Sequence, residues 1–157
     1  MSVKYIQDFY PDNYAHCYGC GRLNKKGMHI KSEWDGDEVV CHYTPDKSKT
    51  GGLPDFLYGG IIASLIDCHC AGTAAAAKLK HDGFEIGEKP MPRFVTASLK
   101  VDFIKPTPVG EELEIRASVR EMKERKITLS AMVSAAGSLT AKGEAVMAMI
   151  PDDDKKE

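Results

Sequence analysis

The 157-residue chain lacks the surplus of positive charge that is typical of nucleic-acid-binding proteins. Its formal net charge is -2 and its pI is near 6.2, so the composition does not favour a phosphate backbone as a partner. The sequence also lacks an uninterrupted run of about 20 apolar residues, the length of a membrane-spanning helix, and its first residues contain no apolar signal-peptide region. We therefore expect a soluble, cytoplasmic protein that binds neither nucleic acid nor membrane.

The chain lacks an even number of cysteines, since it contains five. An odd count does not suit a disulfide framework, so reduced thiols are expected. His16, Cys17 and Cys20 resemble half of a zinc site, but a closed structural site needs about four ligands, and no second pair stands at a suitable spacing. The sequence favours a structural turn here over a zinc-dependent interaction module, and we expect no metal and no cofactor.

Ready-made catalytic motifs are also missing. The chain contains no G-x-S-x-G nucleophile elbow, no P-loop and no H-E-x-x-H pair. Gly19-Cys20-Gly21 lacks the third glycine and the following helix of a dinucleotide site. Serine hydrolases with a nucleophile elbow, P-loop nucleotide hydrolases, H-E-x-x-H metalloproteases and dinucleotide-dependent enzymes are therefore excluded.

The length suits a single domain, residues 1–157. One long helical pattern covers residues 58–80. Patterns typical of strands cover residues 28–34 and 39–43 before it, and 95–103, 113–120, 127–133 and 139–150 after it. Short connections between consecutive strands imply an antiparallel sheet, and a single amphipathic helix must bury its apolar side against it. The sequence therefore predicts an α+β fold.

The helical pattern has two different faces at about 100° per residue. The apolar face consists of Ile61, Ile62, Leu65, Ile66, Thr73 and Ala76. The opposite face consists of Ala63, Ser64, Asp67, Cys70, Ala71 and Ala74. His69 lies on the apolar side, which favours a hydrogen-bonded core histidine over a base, and Cys68 and Cys70 are too far apart around the helix to chelate one metal with it. The small residues around Asp67 allow another backbone or a ligand to approach closely, so self-association is expected.

Asp67 is the best candidate for a catalytic group. A shielded carboxylate can act as a general base on water or as a nucleophile, although the helical pattern alone favours a solvated surface aspartate. Gly59 and Gly60 begin the helix, where the first backbone N–H groups have no intrahelical acceptors. Two interpretations stay open: these N–H groups donate hydrogen bonds to a developing oxyanion, or the two glycines only form the turn from loop to helix. From the strand pattern alone, Thr96 and Ser98 are ordinary outward-facing residues.

Three motifs, in this order, resemble the hotdog-fold acyl-CoA thioesterases of the phenylacetate-degradation type. The motifs are Cys17-x-x-Cys20-Gly21-x-x-Asn24-x-x-Gly27-Met28, Gly59-Gly60-Ile61-Ile62-Ala63-x-Leu65-x-Asp67 and Val95-x-Ala97-x-Leu99-x-Val101-x-Phe103-x-Lys105-Pro106-Thr107-Pro108-Val109-Gly110. Together with the strand order they cover about residues 16–150. The resemblance implies a hotdog fold, in which an antiparallel sheet of about five or six strands wraps around one long central helix. It also implies homodimers with joined sheets, which often pair again into homotetramers.

The resemblance further implies an acyl-CoA thioester substrate and roles for individual residues. The N–H of Gly59 would polarise the thioester carbonyl, Asp67 from across the dimer interface would be the general base or nucleophile, and Thr96 would help to position water. The residues expected to contact the substrate are Tyr58, Gly60, Ser64 and Ser98. The loop of residues 81–93 would form part of the acyl pocket.

The chain departs from the family pattern at two positions. Tyr58 stands where relatives have histidine, and Gly52 stands where they usually have an asparagine that contacts the thioester region. Two polar groups are therefore changed or missing. They leave open an alternative, a non-catalytic acyl-CoA or acyl-carrier binding protein of the same fold.

Overall fold

The computed structural model describes residues 2–151, which form one long helix and a six-stranded sheet. The elements are β1 (Ser32–Asp35), β2 (Glu38–Tyr43), α1 (Gly59–His81), β3 (Phe94–Phe103), β4 (Leu113–Met122), β5 (Lys126–Ala135) and β6 (Ser138–Met149). Two short 3₁₀ turns, Ile6–Phe9 and Asp12–Tyr14, precede them. This order confirms the predicted α+β class, with two strands before the helix and four after it.

The strands form one antiparallel sheet in the order β1-β2-β4-β5-β6-β3. Short turns join β4, β5 and β6, which therefore lie side by side. The chain between β2 and β4 contains α1 and β3, and β3 pairs with β6 at the far end of the sheet. Among the described strands, β3 has this one partner, so its other edge is open.

The apolar face of α1 packs against the middle of the sheet. The predicted apolar stripe is buried except for Ile61, which is half-buried. On β6, a Cβ atom at Gly143 would lie 2.8 Å from Cγ2 of Ile66, so the close approach of helix and sheet requires glycine there. By length and composition α1 could span a membrane, but 67% of that span is buried within the described chain, as expected of a core helix.

The N-terminal segment packs on the domain. Ile6 and Gln7 of the first 3₁₀ turn are buried. Gln7 reaches α1 at Gly72, where a Cβ atom would lie 2.7 Å from the Gln7 amide nitrogen. The first 3₁₀ turn therefore packs against the helix at a position where glycine leaves room for the Gln7 side chain.

Candidate active site

The helix begins with the backbone N–H groups of Gly59 and Gly60. The carbonyl of Tyr58 accepts hydrogen bonds from the N–H groups of Ile61, at 3.0 Å, and Ile62, at 3.4 Å. Within residues 2–151, the N–H groups of Gly59 and Gly60 have no acceptor. The helix dipole adds positive potential at this end, so the two amides can bind a developing negative charge.

Tyr58 stands beside these donors. Its side chain is 56% exposed, and its ring covers Gly60, where a Cβ atom would lie 2.6 Å from Cε2 of the ring. At Gly59 a Cβ atom would lie 3.4 Å from the ring of Phe103 on β3. The start of the helix is thus flanked by two aromatic rings, and Tyr58 occupies part of the space in front of it.

Asp67 lies half-buried on α1, where its carboxylate forms a hydrogen bond with Thr96 of β3. The hydroxyl of Thr96 donates a hydrogen bond of 2.5 Å to Oδ1 of Asp67. Asp67 follows Gly59 by eight residues, which is about 12 Å along the helix axis. Within one chain the carboxylate therefore meets Thr96 and does not reach the Gly59 amide.

A β-bulge gives Thr96 this orientation. The pairing of β3 with β6 shifts between Thr96, opposite Met147, and Ser98, opposite Val146, so Ala97 is the extra residue. Cross-strand partners share a face of the sheet, and Met147 is fully buried on the helix side. The bulge thus turns Thr96 towards α1, and the expectation of an outward-facing Thr96 is wrong.

The two predicted serines have different positions. Ser64 lies near the start of α1, and its hydroxyl donates to the carbonyl of Gly60 at 2.9 Å. Ser98 is exposed on the face of β3 away from Thr96 and the helix. The structure therefore brings Tyr58, Gly60 and Ser64 together at the helix start. Ser98 lies neither there nor beside the Asp67–Thr96 pair.

The thioesterase superfamily matches residues 55–142, a segment that runs from just before α1 into β6 and contains Gly59, Asp67 and Thr96. The chain belongs to the thioesterase superfamily. A thioesterase superfamily protein from Shewanella loihica PV-4 is 38% identical, with 89% of this chain and 98% of that chain covered and a TM-score of 0.67. No curated protein matches the chain.

Two more distant structures share the fold of this thioesterase-superfamily chain. The E. coli PaaI protein from the phenylacetic acid degradation operon is 17% identical, with coverage of 79% of this chain and 81% of that chain and a TM-score of 0.64. A hypothetical thioesterase protein with coenzyme A from Streptococcus pneumoniae TIGR4 is 15% identical, with coverage of 77% and 85% and a TM-score of 0.60. The predicted hotdog fold is confirmed.

His69 is a core residue of the superfamily domain, as predicted. Its Nδ1 lies 2.8 Å from the Ser32 hydroxyl and its Nε2 lies 2.9 Å from the carbonyl of Val39. The Gln7 side chain donates to the Ser32 hydroxyl and accepts from the Ser32 N–H. Complete burial lowers the pKa of His69 to about 4, so the imidazole is neutral near pH 7 and is already engaged at both nitrogens.

Three thiols meet beside the candidate site. The sulfur atoms of Cys17, Cys20 and Cys68 lie within 4.8 Å of one another. Hydrogen bonds from Cys20 and Cys68 lower the pKa of Cys17, and the same contacts raise the pKa values of Cys20 and Cys68. The sequence did not predict the third thiol, because Cys68 is 48 residues after Cys20 and no spacing pattern relates the two.

The loop after α1 lines two clefts. One, of about 690 Å³, includes Pro90, Met91 and Arg93, and the other, of about 430 Å³, includes Phe84 and Ile86. Neither cleft is lined by Gly59, Asp67 or Thr96. In a single chain, the long loop and the candidate catalytic groups therefore lie in different places.

Proposed function

We propose that this thioesterase-superfamily protein hydrolyses the thioester bond of an acyl-CoA. The observation that carries the proposal is the hydrogen bond from Thr96 to Asp67, because it fixes a carboxylate on the small-residue face of α1. The unpaired N–H of Gly59 supplies a donor for an oxyanion. Family membership supports thioester hydrolysis, and the S. pneumoniae neighbour, solved with coenzyme A, supports the substrate class.

The proposed site needs two chains. The roughly 12 Å between Gly59 and Asp67 along one helix is too far for both to act on one carbonyl. A neighbouring chain related by a two-fold axis would place its own Asp67 beside this Gly59. We infer a homodimer, and a second two-fold interface would pair dimers into a tetramer.

The surface around the site supports this dimer. Within residues 2–151, strand β3 has one unpaired edge, and its apolar residues Val95 and Phe103 are 41% and 57% exposed. On α1, Ala63, Ser64 and Ala71 are only half-buried. An open edge with exposed apolar side chains favours pairing with another strand, and small residues let a second helix approach.

The proposed chemistry uses both oxygens of Asp67. Oδ1 accepts the bond from Thr96, and Oδ2 takes a proton from water as the water oxygen attacks the thioester carbonyl carbon. The resulting oxyanion accepts the hydrogen bond from Gly59 of the partner chain. Collapse then breaks the C–S bond, and the proton on Asp67 passes to the leaving CoA thiolate. The products are a carboxylic acid and the free thiol.

The decisive experiment is steady-state hydrolysis of a panel of acyl-CoAs by wild type, Asp67→Asn and Gly59→Pro. Loss of the general base should lower kcat by about 10²–10⁴-fold. Proline removes the N–H of Gly59 at the first helical position, where it is well tolerated, and the extended Tyr58 backbone at ψ 129° suits a following proline. We expect a loss of about 10²–10³-fold for this variant.

Asp37→Asn is the matched control, because Asp37 is an exposed carboxylate in the turn between β1 and β2, outside the loop expected to form the acyl pocket. It should retain wild-type kcat. Equal hydrolysis by wild type and Asp67→Asn would contradict the catalytic assignment. Thermal unfolding of each variant separates lost chemistry from lost folding.

Tyr58 favours a second candidate, the non-catalytic acyl-CoA or acyl-carrier binding protein. Its ring occupies space in front of the helix start, and Gly52, where a Cβ atom would meet no neighbour within 4 Å, offers no polar side chain. Calorimetric binding of an acyl-CoA without turnover by wild type would support this alternative. Turnover that depends on Asp67 would exclude it.

A further inference from the structure

The cluster formed by Cys17, Cys20 and Cys68 is not used by the proposed hydrolysis. Cys17 and Cys20 lie on a knuckle that precedes β1, and Cys68 lies on α1 directly after Asp67. The sulfur atoms of Cys17 and Cys68 are 3.6 Å apart, and all three sulfurs lie within 4.8 Å of one another. Three sulfur atoms, which are good metal ligands, are thus brought together from two separate segments of the chain.

Backbone hydrogen bonds hold the knuckle in place. The N–H of Gly21 donates to the carbonyl of Cys17 at 2.8 Å, and the N–H of Ile30 donates to the carbonyl of Gly19 at 3.0 Å. A Cβ atom at Gly19 would lie 2.3 Å from the sulfur of Cys68. Only glycine lets the knuckle approach the helix this closely, so the backbone itself brings the thiols together.

We propose that Cys17, Cys20 and Cys68 bind one zinc ion per chain. Zinc–thiolate bonds of about 2.3 Å in a tetrahedron place the sulfur atoms about 3.8 Å apart. The Cys17–Cys68 distance of 3.6 Å is already close to this value, and the other two distances, at most 4.8 Å, need to shorten by no more than about 1 Å. Thiolates select zinc and copper(I) over the oxygen-seeking magnesium and calcium ions. The site differs from the half-site considered in the sequence, because the third ligand is Cys68 and not His16.

The burial of the three thiols fits an open zinc site. Cys20 and Cys68 are each 7% exposed, and Cys17 is exposed. The solvent side next to Cys17 gives the ion an entry path and leaves the fourth position to water. A bound ion would tie the knuckle to α1 at the residue after Asp67, and the proposal does not depend on the hydrolytic activity.

Cobalt(II) titration of the full-length, reduced, chelator-treated protein tests this site, since cobalt replaces zinc and gives a thiolate charge-transfer absorption. We expect one equivalent per chain and displacement by zinc. Zinc at about 100 times its Kd should raise the Tm by roughly 5–10 °C. Cys17→Ala, Cys20→Ala and Cys68→Ala should each lose the absorption and the Tm shift.

The matched controls are Cys41→Ala and Cys70→Ala, because both thiols are buried outside the cluster. They should bind cobalt like wild type. Cys17→Ala is the most informative variant, since its exposed position lets the metal-free protein keep its fold. An absent charge-transfer absorption, one that survives Cys17→Ala, or a protein that forms only a Cys17–Cys68 disulfide would overturn the proposal.

Discussion

Asp67 depends on one hydroxyl for its orientation. Thr96 reaches the carboxylate only because Ala97 is an extra residue in β3, which turns the side chain before it towards the helix. Without the bulge, Thr96 would share a face with Ser98. A single inserted residue in the strand thus determines which hydroxyl contacts the proposed base.

Replacing Thr96 with valine keeps the shape and removes the hydrogen bond to Asp67. A hydrogen bond to a charged group contributes about 1.5–3 kcal/mol, so kcat should fall by roughly 10–100-fold. Thr96→Ser should recover most of the loss, which a purely structural role would not predict. Thr128→Val, the same change on the outward face of β5, should keep wild-type kcat in the same assay.

The turn between β5 and β6 contains a strained residue. Ala136 and Gly137 both have positive φ, 49° and 78°, as a two-residue type I′ turn requires. Alanine adopts this conformation at a cost, whereas asparagine tolerates it. Ala136→Asn should raise the free energy of unfolding by about 0.5–1 kcal/mol in urea titrations. Unchanged or lower stability would show that the turn is not strained at Ala136.

At the level of elements, His69 connects α1 to three other segments of the chain. It lies on α1, contacts Ser32 of β1 and Val39 of β2, and meets Gln7 of the N-terminal turn through Ser32. Its pKa of about 4 in the folded state lies below the ordinary value of 6.5. Between these two pH values the unfolded chain binds more protons, so the stabilisation is complete above pH 6.5 and is lost as the pH falls through the window.

The pH dependence of unfolding tests this role of His69. Between about pH 7 and pH 4.5, protonation of the unfolded state should remove roughly 2–3 kcal/mol of stability from wild type. His69→Gln should be less stable than wild type near neutral pH, but it lacks this titration. The difference in the free energy of unfolding between the two proteins should therefore shrink by that amount as the pH falls to about 4.5. A constant difference would mean that His69 has an ordinary pKa.

Local patterns predicted most of the elements and only part of the site. In the sequence, the apolar stripe and the pair Gly59-Gly60 at its beginning predict α1, and the alternation of apolar and polar residues predicts β3 to β6. The same alternation placed Thr96 outwards, because a bulge leaves no signal in the apolar pattern. The contact of Cys68 with Cys17 and Cys20 joins residues far apart in sequence, and no spacing rule predicts such a contact.

At the scale of the whole molecule, each active site in the proposed function is shared by two chains. One chain carries a Gly59 amide at the helix start, without an acceptor in the described part of the chain, and an Asp67 carboxylate about two turns further along. Each is incomplete without a partner. The proposed two-fold dimer has two such sites, each with the amide of one chain and the carboxylate of the other.

Mixing two inactive variants tests this claim most directly. Asp67→Asn and Gly59→Pro, dissociated and reassociated together, form mixed dimers in which one of the two sites has both native groups. Since about half of the randomly reassociated dimers are mixed, activity should return to about a quarter of wild type. Each variant treated alone should stay inactive. No recovery from dimers shown to be mixed, or full wild-type activity in a protein that sediments as a monomer, would contradict the shared site.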